Sequence, residues 1–556
     1  MGDRIDGARY MAETLHRQGV SHVFFIDAIM RRTLVELEAL GIERVLAHSE
    51  KSAVYMADGY ARVTGRPGVC MAQSVGAANL AAGLQDAYLH RTPLIALTGR
   101  KPPMFRHRNA YQELDHAPLY ASVTKYHAEV ETAEQLPFLL PQAFREATEG
   151  TPRPVHLDLA GLQAEIIETG TVEQGPLEPH HTHLPARRSP PAGAEIEAAA
   201  AALAKARQPV IVAGAGAMVS GAQDAVRRFA EALRIPVATS TGGRGTLPTT
   251  HELHVGCVGL YSAPHANRIL HEADLVIFLG CHTGDQVTCN WTIPGQATPI
   301  VQIDVDGSEI GRNYPAAVGV LGDPALAMEA LLAACGSQEP RAAWAGEVRE
   351  RVAAWRDSMA EAMASDAAPI RVERLCAEIT RALPENGVLV ADTGYSTIWA
   401  ATLIDLPHPG QTFMRAAGSL GWSFPAALGA KCGAPERPVV CFTGDGAFYY
   451  HMSELETARR RNIPLVTVVN NNSAFGQGLV NIRNIYGGRP GNQDEIIRFG
   501  PTDFAAVARS FGVEGIRVED PAEIAGALSH ALSLGRPVVI DVVTDAEPRA
   551  PEPWTL

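Results

Sequence analysis

The chain has 556 residues, too many for a single hydrophobic core, which favours roughly three domains. Its net charge of −14 argues against nucleic acid as a partner, because nucleic-acid binding needs a clustered basic surface. Eight scattered cysteines without a C-x-x-C pair favour reduced thiols, and no apolar run approaches the roughly 20 residues that span a bilayer, so we expect a cytoplasmic protein without a membrane partner.

Strand-like apolar runs alternate with helical patterns along the chain, which predicts α/β architecture with parallel sheets. Residues 168–194 interrupt the alternation and are interpreted as an exposed linker because they are rich in proline and glycine. We interpret the linker histidines as solvated side chains and not as a metal site: His180, His181 and His183. Residues 336–366 are charged and helical. The prediction is three doubly wound parallel-sheet domains at residues 1–170, 190–335 and 366–556.

In the N-terminal domain, residues 44–50 predict a strand that ends in the carboxylate of Glu50. A helical pattern follows and ends at Gly65. Taken alone, Glu50 is more typical of a charge at a helix N-terminus than of a catalyst. Asn79 is interpreted either as the cap of a helix that starts near Leu80 or as part of an active-site loop.

The middle domain contains a glycine-rich turn after an apolar run, Gly214-Ala215-Gly216. The third glycine of a dinucleotide-binding fingerprint is missing, because Val219 stands in its place. The pattern therefore favours an ordinary strand-to-helix turn and does not indicate a dehydrogenase.

In the C-terminal domain, Gly444-Asp445-Gly446 follows one apolar strand and Asn471-Asn472 follows the next. The carboxyl ends of parallel strands meet at one edge, where open sheets bind ligands. Asp445 offers a carboxylate and Asn472 an amide oxygen, ligands that suit Mg²⁺, and Mg²⁺ completes its octahedron with phosphate oxygens. The flanking glycines let the backbone approach those oxygens. The pattern predicts a metal–diphosphate site.

These motifs resemble the signature of thiamine-diphosphate enzymes, and the resemblance covers the whole chain as pyrimidine-binding, central and diphosphate-binding domains. Residues 50–62 resemble the segment that carries the cofactor-activating glutamate, which implies that Glu50 shares a proton with the aminopyrimidine ring of the cofactor. Residues 111–113 resemble the aromatic-Gln-Glu element of acetohydroxyacid synthases, in which Gln112 faces the cofactor. The implied catalytic residues are Glu50 and Gln112, and the implied cofactors are thiamine diphosphate and Mg²⁺.

The resemblance also implies which residues hold the cofactor. Leu420 occupies the position of an apolar side chain that wedges between the two cofactor rings, and Gly418 that of a carbonyl that receives the 4′-amino group. The implied metal ligands are Asp445, Asn472 and the backbone carbonyl of Ala474. The remaining implied cofactor-binding residues are Gly76, Asp392, Gly394, Gly444, Gly446, Ala447, Asn472 and Phe475.

The contexts of Glu50 and Gln112 resemble acetohydroxyacid (acetolactate) synthases, which decarboxylate pyruvate and ligate the residue to a second 2-oxo acid. Two alternatives stay open: an oxalyl-CoA decarboxylase or 2-hydroxyacyl-CoA lyase, which residues 453–457 also resemble, and a non-catalytic thiamine-fold subunit. Residues 279–285 lack the arginine-containing stretch that helps hold FAD in the synthases, which argues against FAD. The family resemblance implies at least a homodimer and commonly a homotetramer.

The expected substrate is a small 2-oxo acid or an acyl-CoA, and either one is an anion. Three arginines are candidates for binding it: Arg415, Arg483 and Arg489. Asp494 and Glu495 belong to a segment that is interpreted either as a substrate lid with an acid or base, or as an ordinary charged loop.

Overall fold

The computed structural model describes residues 4–173, 181–336 and 338–556. Three six-stranded sheets form its framework, and every neighbouring pair of strands within them is parallel. Buried apolar clusters lie on both faces of each sheet, as parallel sheets covered by helices require. The predicted fold class, three doubly wound α/β domains, is confirmed.

The strands of the N-terminal domain are β1 (Arg4–Asp6), β2 (His22–Phe25), β3 (Glu43–Leu46), β4 (Gly68–Ala72), β5 (Leu94–Arg100), β6 (Tyr126–Val130), β7 (Val155–Ala160) and β8 (Thr171–Glu173). Its helices are α1 (Gly7–Arg17), α2 (Arg31–Ala39), α3 (Glu50–Thr64), α4 (Ser74–His90), α5 (Ala117–Tyr120), α6 (Leu136–Thr148) and α7 (Glu165–Thr169). The sheet order is β3-β2-β4-β5-β7-β6. A strand followed by a helix is found as predicted, but the strand ends at Leu46 and Glu50 is the first residue of the helix.

Two local features differ from the sequence analysis. Strand β8 lies inside the segment interpreted as a linker and pairs antiparallel with β1, a three-residue pairing too short to leave a periodic pattern. Helix α4 begins at Ser74, so Asn79 lies inside the helix, and its interpretation as the cap of a helix starting near Leu80 is wrong. Residues 174–180 of the linker, which include His180, lie outside the described residues.

The strands of the central domain are β9 (Pro209–Ala213), β10 (Val237–Thr239), β11 (His254–Cys257), β12 (Leu275–Leu279), β13 (Ile300–Asp304) and β14 (Val318–Leu321). Its helices are α8 (Gly193–Lys205), α9 (Ala215–Val219), α10 (Gln223–Leu233), α11 (Pro264–Glu272), α12 (Asp285–Thr288) and α13 (Pro324–Cys335), followed by the connecting helix α14 (Ala342–Met363). The sheet order is β11-β10-β9-β12-β13-β14. Gly214 joins β9 to α9, which confirms the predicted strand-to-helix turn.

The strands of the C-terminal domain are β15 (Val388–Ala391), β16 (Thr412–Arg415), β17 (Val439–Gly444), β18 (Val466–Asn471), β19 (Glu514–Val518) and β20 (Val538–Val543). Its helices are α15 (Val372–Ala382), α16 (Tyr395–Leu403), α17 (Ser423–Gly433), α18 (Asp445–Phe448), α19 (Glu454–Arg460), α20 (Gly476–Tyr486), α21 (Asp494–Ile497), α22 (Phe504–Ser510) and α23 (Ile524–Ser533). The sheet order is β16-β15-β17-β18-β20-β19. Strands β17 and β18 are neighbours, so the two motifs meet at one edge of this sheet.

The N- and C-terminal domains share one apolar core, in which α3 packs on α17. A buried polar network crosses this contact. The guanidinium of Arg62 pairs with Asp58 at 2.7 Å and with Asp86 at 3.1 Å, and Asp58 also accepts a 2.8 Å hydrogen bond from the indole N–H of Trp422. Because a buried charge left without its partner is strongly destabilising, the network fixes how the two domains meet.

Candidate active site

Asp445 opens α18 directly after β17, and its carboxylate is almost completely buried. One oxygen, Oδ1, accepts a 2.7 Å hydrogen bond from the N–H of Gly446. The other, Oδ2, is buried without a hydrogen-bond partner among the described residues. Burial raises the pKa of Asp445 to about 6, against the opposing effect of backbone N–H groups of residues 472–474 and 446. A buried carboxylate oxygen without a donor is the type of atom that a bound cation satisfies.

Asn471 is the last residue of β18 and Asn472 follows it, and the two side chains have different surroundings. The side chain of Asn471 donates to the carboxylate of Asp541 at 2.8 Å and to the carbonyl of Thr502 at 2.8 Å, so it is part of the framework. Within the described residues, the amide oxygen of Asn472 accepts one hydrogen bond, a local one of 3.1 Å from the N–H of Ala474, and Asn472 lines a cavity. Of these two asparagines, Asn472 is therefore the one that a ligand in the cavity could contact.

The loop after Asn472 is held by a second segment of chain. Phe475 N–H donates to the carbonyl of Ile497 at 3.0 Å, and Phe499 N–H donates to the carbonyl of Ser473 at 2.8 Å. The rings of Phe475 and Phe499 meet edge to face with centroids 4.7 Å apart. A Cβ on Gly446 would lie 2.5 Å from the Phe475 ring, so this position has no room for a side chain. The second motif thereby packs tightly on the first.

A cavity of about 440 Å³ lies at this edge of the sheet. Most of the predicted cofactor and metal residues line it: Gly394, Leu420, Gly444, Asp445, Gly446, Ala447, Asn472, Ala474 and Phe475. Tyr261 of the central domain and Asp545 after β20 complete its wall. Three predicted cofactor residues are not part of the lining: Gly76, Asp392 and Gly418.

Asp392 lies under the turn that carries Leu420. It is fully buried, and its carboxylate accepts hydrogen bonds from the N–H groups of Gly421 at 3.0 Å and Ser423 at 2.9 Å. Burial raises its pKa. From the other side, Asp86 of α4 accepts from the N–H groups of residues 417, 418 and 419 at 2.9, 3.1 and 2.9 Å. Asp392 and Asp86 together shape the backbone turn that presents Leu420.

Asp86 is not among the residues predicted from the sequence. Its signal is weak, because the residue belongs to a largely apolar, alanine-rich helix and the turn that it holds lies more than 300 positions away in the sequence. A lone acidic residue on a buried helix face indicates a buried polar partner, but the sequence does not say which one.

The catalytic residues predicted in the N-terminal domain form a second cluster. Glu50 follows Ser49, whose hydroxyl caps α3, and one carboxylate oxygen of Glu50 accepts a 3.2 Å hydrogen bond from the amide of Asn79. A Cβ on Gly76 would lie 2.6 Å from the other oxygen, so Gly76 leaves room for Glu50 itself. Asn79 is therefore a partner of Glu50, which its local sequence did not reveal.

Gln112 is linked to this cluster by a hydrogen bond to the first turn of α4. Its backbone carbonyl accepts a 2.7 Å hydrogen bond from the hydroxyl of Ser74, two residues before Gly76. The residue has a φ of 57°, and its side-chain oxygen is buried without a donor among the described residues. Glu50, Gly76 and Gln112 thus belong to one cluster, but none of them lines the cavity of the same chain.

Comparisons with known proteins show which family the chain belongs to. The chain matches the N-terminal TPP binding domain of thiamine pyrophosphate enzymes at residues 5–119, the central domain at 196–331 and the C-terminal TPP binding domain at 392–542. It is 32% identical to a probable acetolactate synthase large subunit of Methanocaldococcus jannaschii, over 97% of this chain and 92% of that one. It is 30% identical to the large subunit of acetolactate synthase isozyme 2 of Escherichia coli, over 97% and 96%. The chain is an acetolactate synthase-like thiamine pyrophosphate enzyme.

This thiamine pyrophosphate enzyme is also 30% identical to a chloroplastic acetolactate synthase of Nicotiana tabacum, over 97% of this chain and 81% of the relative. Each of the two residue clusters lies in one of its TPP binding domains, Glu50 and Gln112 in the N-terminal and Asp445 and Asn472 in the C-terminal one. Within the described residues, no helix is both long and apolar enough to cross a bilayer.

Proposed function

We propose that this enzyme decarboxylates a 2-oxo acid and joins the remaining acyl unit to a second carbonyl compound. The chain is similar to acetolactate synthases over nearly its full length. The observation that carries the proposal is that each of its two clusters contains a carboxylate, Glu50 in one and Asp445 in the other. A non-catalytic subunit would need neither carboxylate.

Thiamine diphosphate and Mg²⁺ fit the residues of the C-terminal cluster. Asp445 Oδ2 and the amide oxygen of Asn472 are hard oxygen ligands at one wall of the cavity, and the backbone of Ala474 lies between them and Phe475. Bound thiamine diphosphate supplies the electron sink for breaking a bond next to a carbonyl. In the proposal, Asp445, Asn472 and Ala474 hold the metal and diphosphate, and Leu420 supports the rings.

The N-terminal cluster supplies proton transfer and orientation. Glu50 is positioned by Asn79 and by the space left at Gly76. In the proposal its carboxylate would share a proton with the aminopyrimidine ring of bound thiamine diphosphate. The side-chain amide of Gln112 is proposed to orient the reacting carbonyl.

The two clusters are proposed to meet between two copies of the chain. The described residues that line the cavity belong to the C-terminal and central domains, so in the proposal a complete site needs the Glu50 cluster of a second copy. Large apolar side chains are exposed near both clusters, Tyr111 at 73% and Met104 at 67% in the N-terminal domain and Ile485 at 65% and Tyr450 at 53% in the C-terminal domain. Exposed apolar groups of this size are typical of interfaces.

FAD is not part of the proposal. A Cβ on Gly214 or Gly216 would collide with the backbone of Gly280, so close packing within the domain accounts for both glycines without a dinucleotide. Flavin fluorescence of the denatured, purified protein tests this point, and we expect none.

The reaction is tested by incubating the purified enzyme with thiamine diphosphate, Mg²⁺ and a panel of 2-oxo acids that includes pyruvate, 2-oxobutyrate and 2-oxoglutarate. We expect release of CO₂ and a carboligation product, identified by NMR, that depend on both cofactors. Turnover of a 2-hydroxyacyl-CoA together with inactivity towards every 2-oxo acid would replace this proposal with the lyase alternative.

A further inference from the structure

The arginines that the sequence offers for an anionic substrate are engaged elsewhere. Arg415 is buried and donates to the carbonyl of Ala416 and to the side chain of Gln286. Arg483 forms a two-pronged ion pair with Glu547 at 2.7 and 2.8 Å. Arg489 donates to backbone carbonyls at the end of its own helix, at 2.7 and 3.1 Å. None of the three lines the cavity.

The cavity itself is a poor site for a second negative charge. Among the described residues that line it there is no lysine, arginine or histidine, and its charged side chains are the carboxylates of Asp445 and Asp545. A metal ion would offset the negative charge of Asp445, but its own charge would be shared with the diphosphate. The cationic side chain that binds a substrate anion must therefore come from residues that do not line this cavity.

The loop after β5, residues 101–113, carries such cations next to Gln112. Neither Lys101 nor Arg108 has a side-chain hydrogen bond or ion pair with any described residue, and Arg108 and His107 are exposed. Arg106 contacts Glu129 at 3.4 Å, which anchors the start of this cationic stretch. The same loop segment carries exposed Met104 and Tyr111, and exposed apolar side chains together with cations that have no carboxylate partner suit a surface that is covered on assembly.

The loop has a defined backbone conformation. The carboxylate of Glu113 accepts hydrogen bonds from the N–H of His107 at 2.6 Å and of Ala110 at 3.2 Å. The residues His107, Asn109 and Gln112 adopt positive φ angles of 62°, 54° and 57°. Because Gln112 is also held by Ser74, the backbone that carries the cations keeps a fixed relation to the Glu50 cluster. A fixed backbone lowers the entropy cost of bringing these side chains to an anion.

We propose that Lys101, His107 and Arg108 form an anion subsite at the mouth of the active site, contributed by one copy of the chain to the cavity of the other. The subsite selects a 2-oxo acid that carries a second anionic group, such as a dicarboxylate. This inference rests on the proposed 2-oxo acid chemistry and names its substrate class.

The experiment compares the kcat/KM for CO₂ release from 2-oxoglutarate with that from 2-oxohexanoate, a chain of similar length without the second carboxylate. We expect wild type to prefer 2-oxoglutarate, and Arg108→Ala to lower kcat/KM for 2-oxoglutarate about tenfold while leaving 2-oxohexanoate within about twofold. Lys101→Ala should act in the same direction. Arg145→Ala, which removes an exposed arginine on α6 of the same domain, serves as the matched control and should change neither substrate.

Each outcome has a separate meaning. If wild type releases CO₂ from no 2-oxo acid, the proposed function itself fails. If it turns over both substrates without preference, or if Arg108→Ala and Lys101→Ala lower both kcat/KM values equally, the reaction stands and the anion subsite is wrong. Added salt should weaken the preference for 2-oxoglutarate, since an exposed charge contact is screened.

Discussion

At the level of single residues, Asp445 carries the clearest chemical signal, because one oxygen of its buried carboxylate has no donor. We predict that Asp445→Asn, which keeps size and shape but removes the charge, weakens Mg²⁺-dependent binding of thiamine diphosphate by more than about tenfold. Isothermal titration calorimetry with and without Mg²⁺ measures this. Asp545→Asn alters another carboxylate of the same cavity and should leave the affinity nearly unchanged. Equal affinities of wild type and Asp445→Asn would contradict the metal site.

A substitution of Glu50 should affect turnover and cofactor affinity differently. Glu50→Gln keeps the hydrogen bond from Asn79 but cannot share a proton, so turnover should fall by about 100-fold or more while cofactor affinity is largely retained. Gly76→Ala should act in the same direction, because the added methyl group pushes against the Glu50 carboxylate. Steady-state kinetics and calorimetry on the same preparations provide both quantities. Unchanged turnover in Glu50→Gln would remove its proposed catalytic role.

At the level of elements, the backbone N–H groups of the turn at residues 417–423 donate hydrogen bonds to two buried carboxylates, Asp86 of the N-terminal domain and Asp392 of the C-terminal domain. Asp86→Asn removes the charge that Arg62 faces, and we expect the free energy of unfolding to fall by about 3 kcal/mol. Chemical denaturation measures the loss, and hydrogen exchange should show faster exchange at the amides of residues 417–419. Glu329→Gln, a change at an exposed ion pair, is the control and should cost less than about 1 kcal/mol.

The elements also show what the sequence can predict. Strands β17 and β18 and their loops follow from continuous apolar runs that end in glycine, aspartate and asparagine, so the position of Asp445 and Asn472 at one sheet edge could be predicted. The supporting contacts could not, because Asp86 and the turn it holds are separated by more than 300 residues and meet only through the packing of α3 on α17. Local pattern thus predicts which polar groups line the sheet edge, and tertiary structure decides which groups support them.

At the level of the whole molecule, the two clusters belong to opposite ends of the chain, and the cavity of one chain lacks the Glu50 cluster. In a two-fold symmetric dimer, each of two equivalent sites would combine Asp445 of one copy with Glu50 of its partner. A mixture of two inactive variants can therefore test this arrangement, whereas a single variant cannot. A site assembled within one chain and a site shared between chains respond differently when two inactive variants are mixed.

We predict that Glu50→Gln and Asp445→Asn, each nearly inactive alone, complement each other after mixing, unfolding and refolding together. Random pairing makes half of the dimers mixed, and each mixed dimer has one site with both native carboxylates, so about a quarter of wild-type activity should return. Refolding each variant alone provides the baseline, and size-exclusion chromatography with light scattering verifies that dimers form. If mixing restores nothing although mixed dimers are present, both carboxylates must act from the same chain, and the shared-site arrangement is wrong.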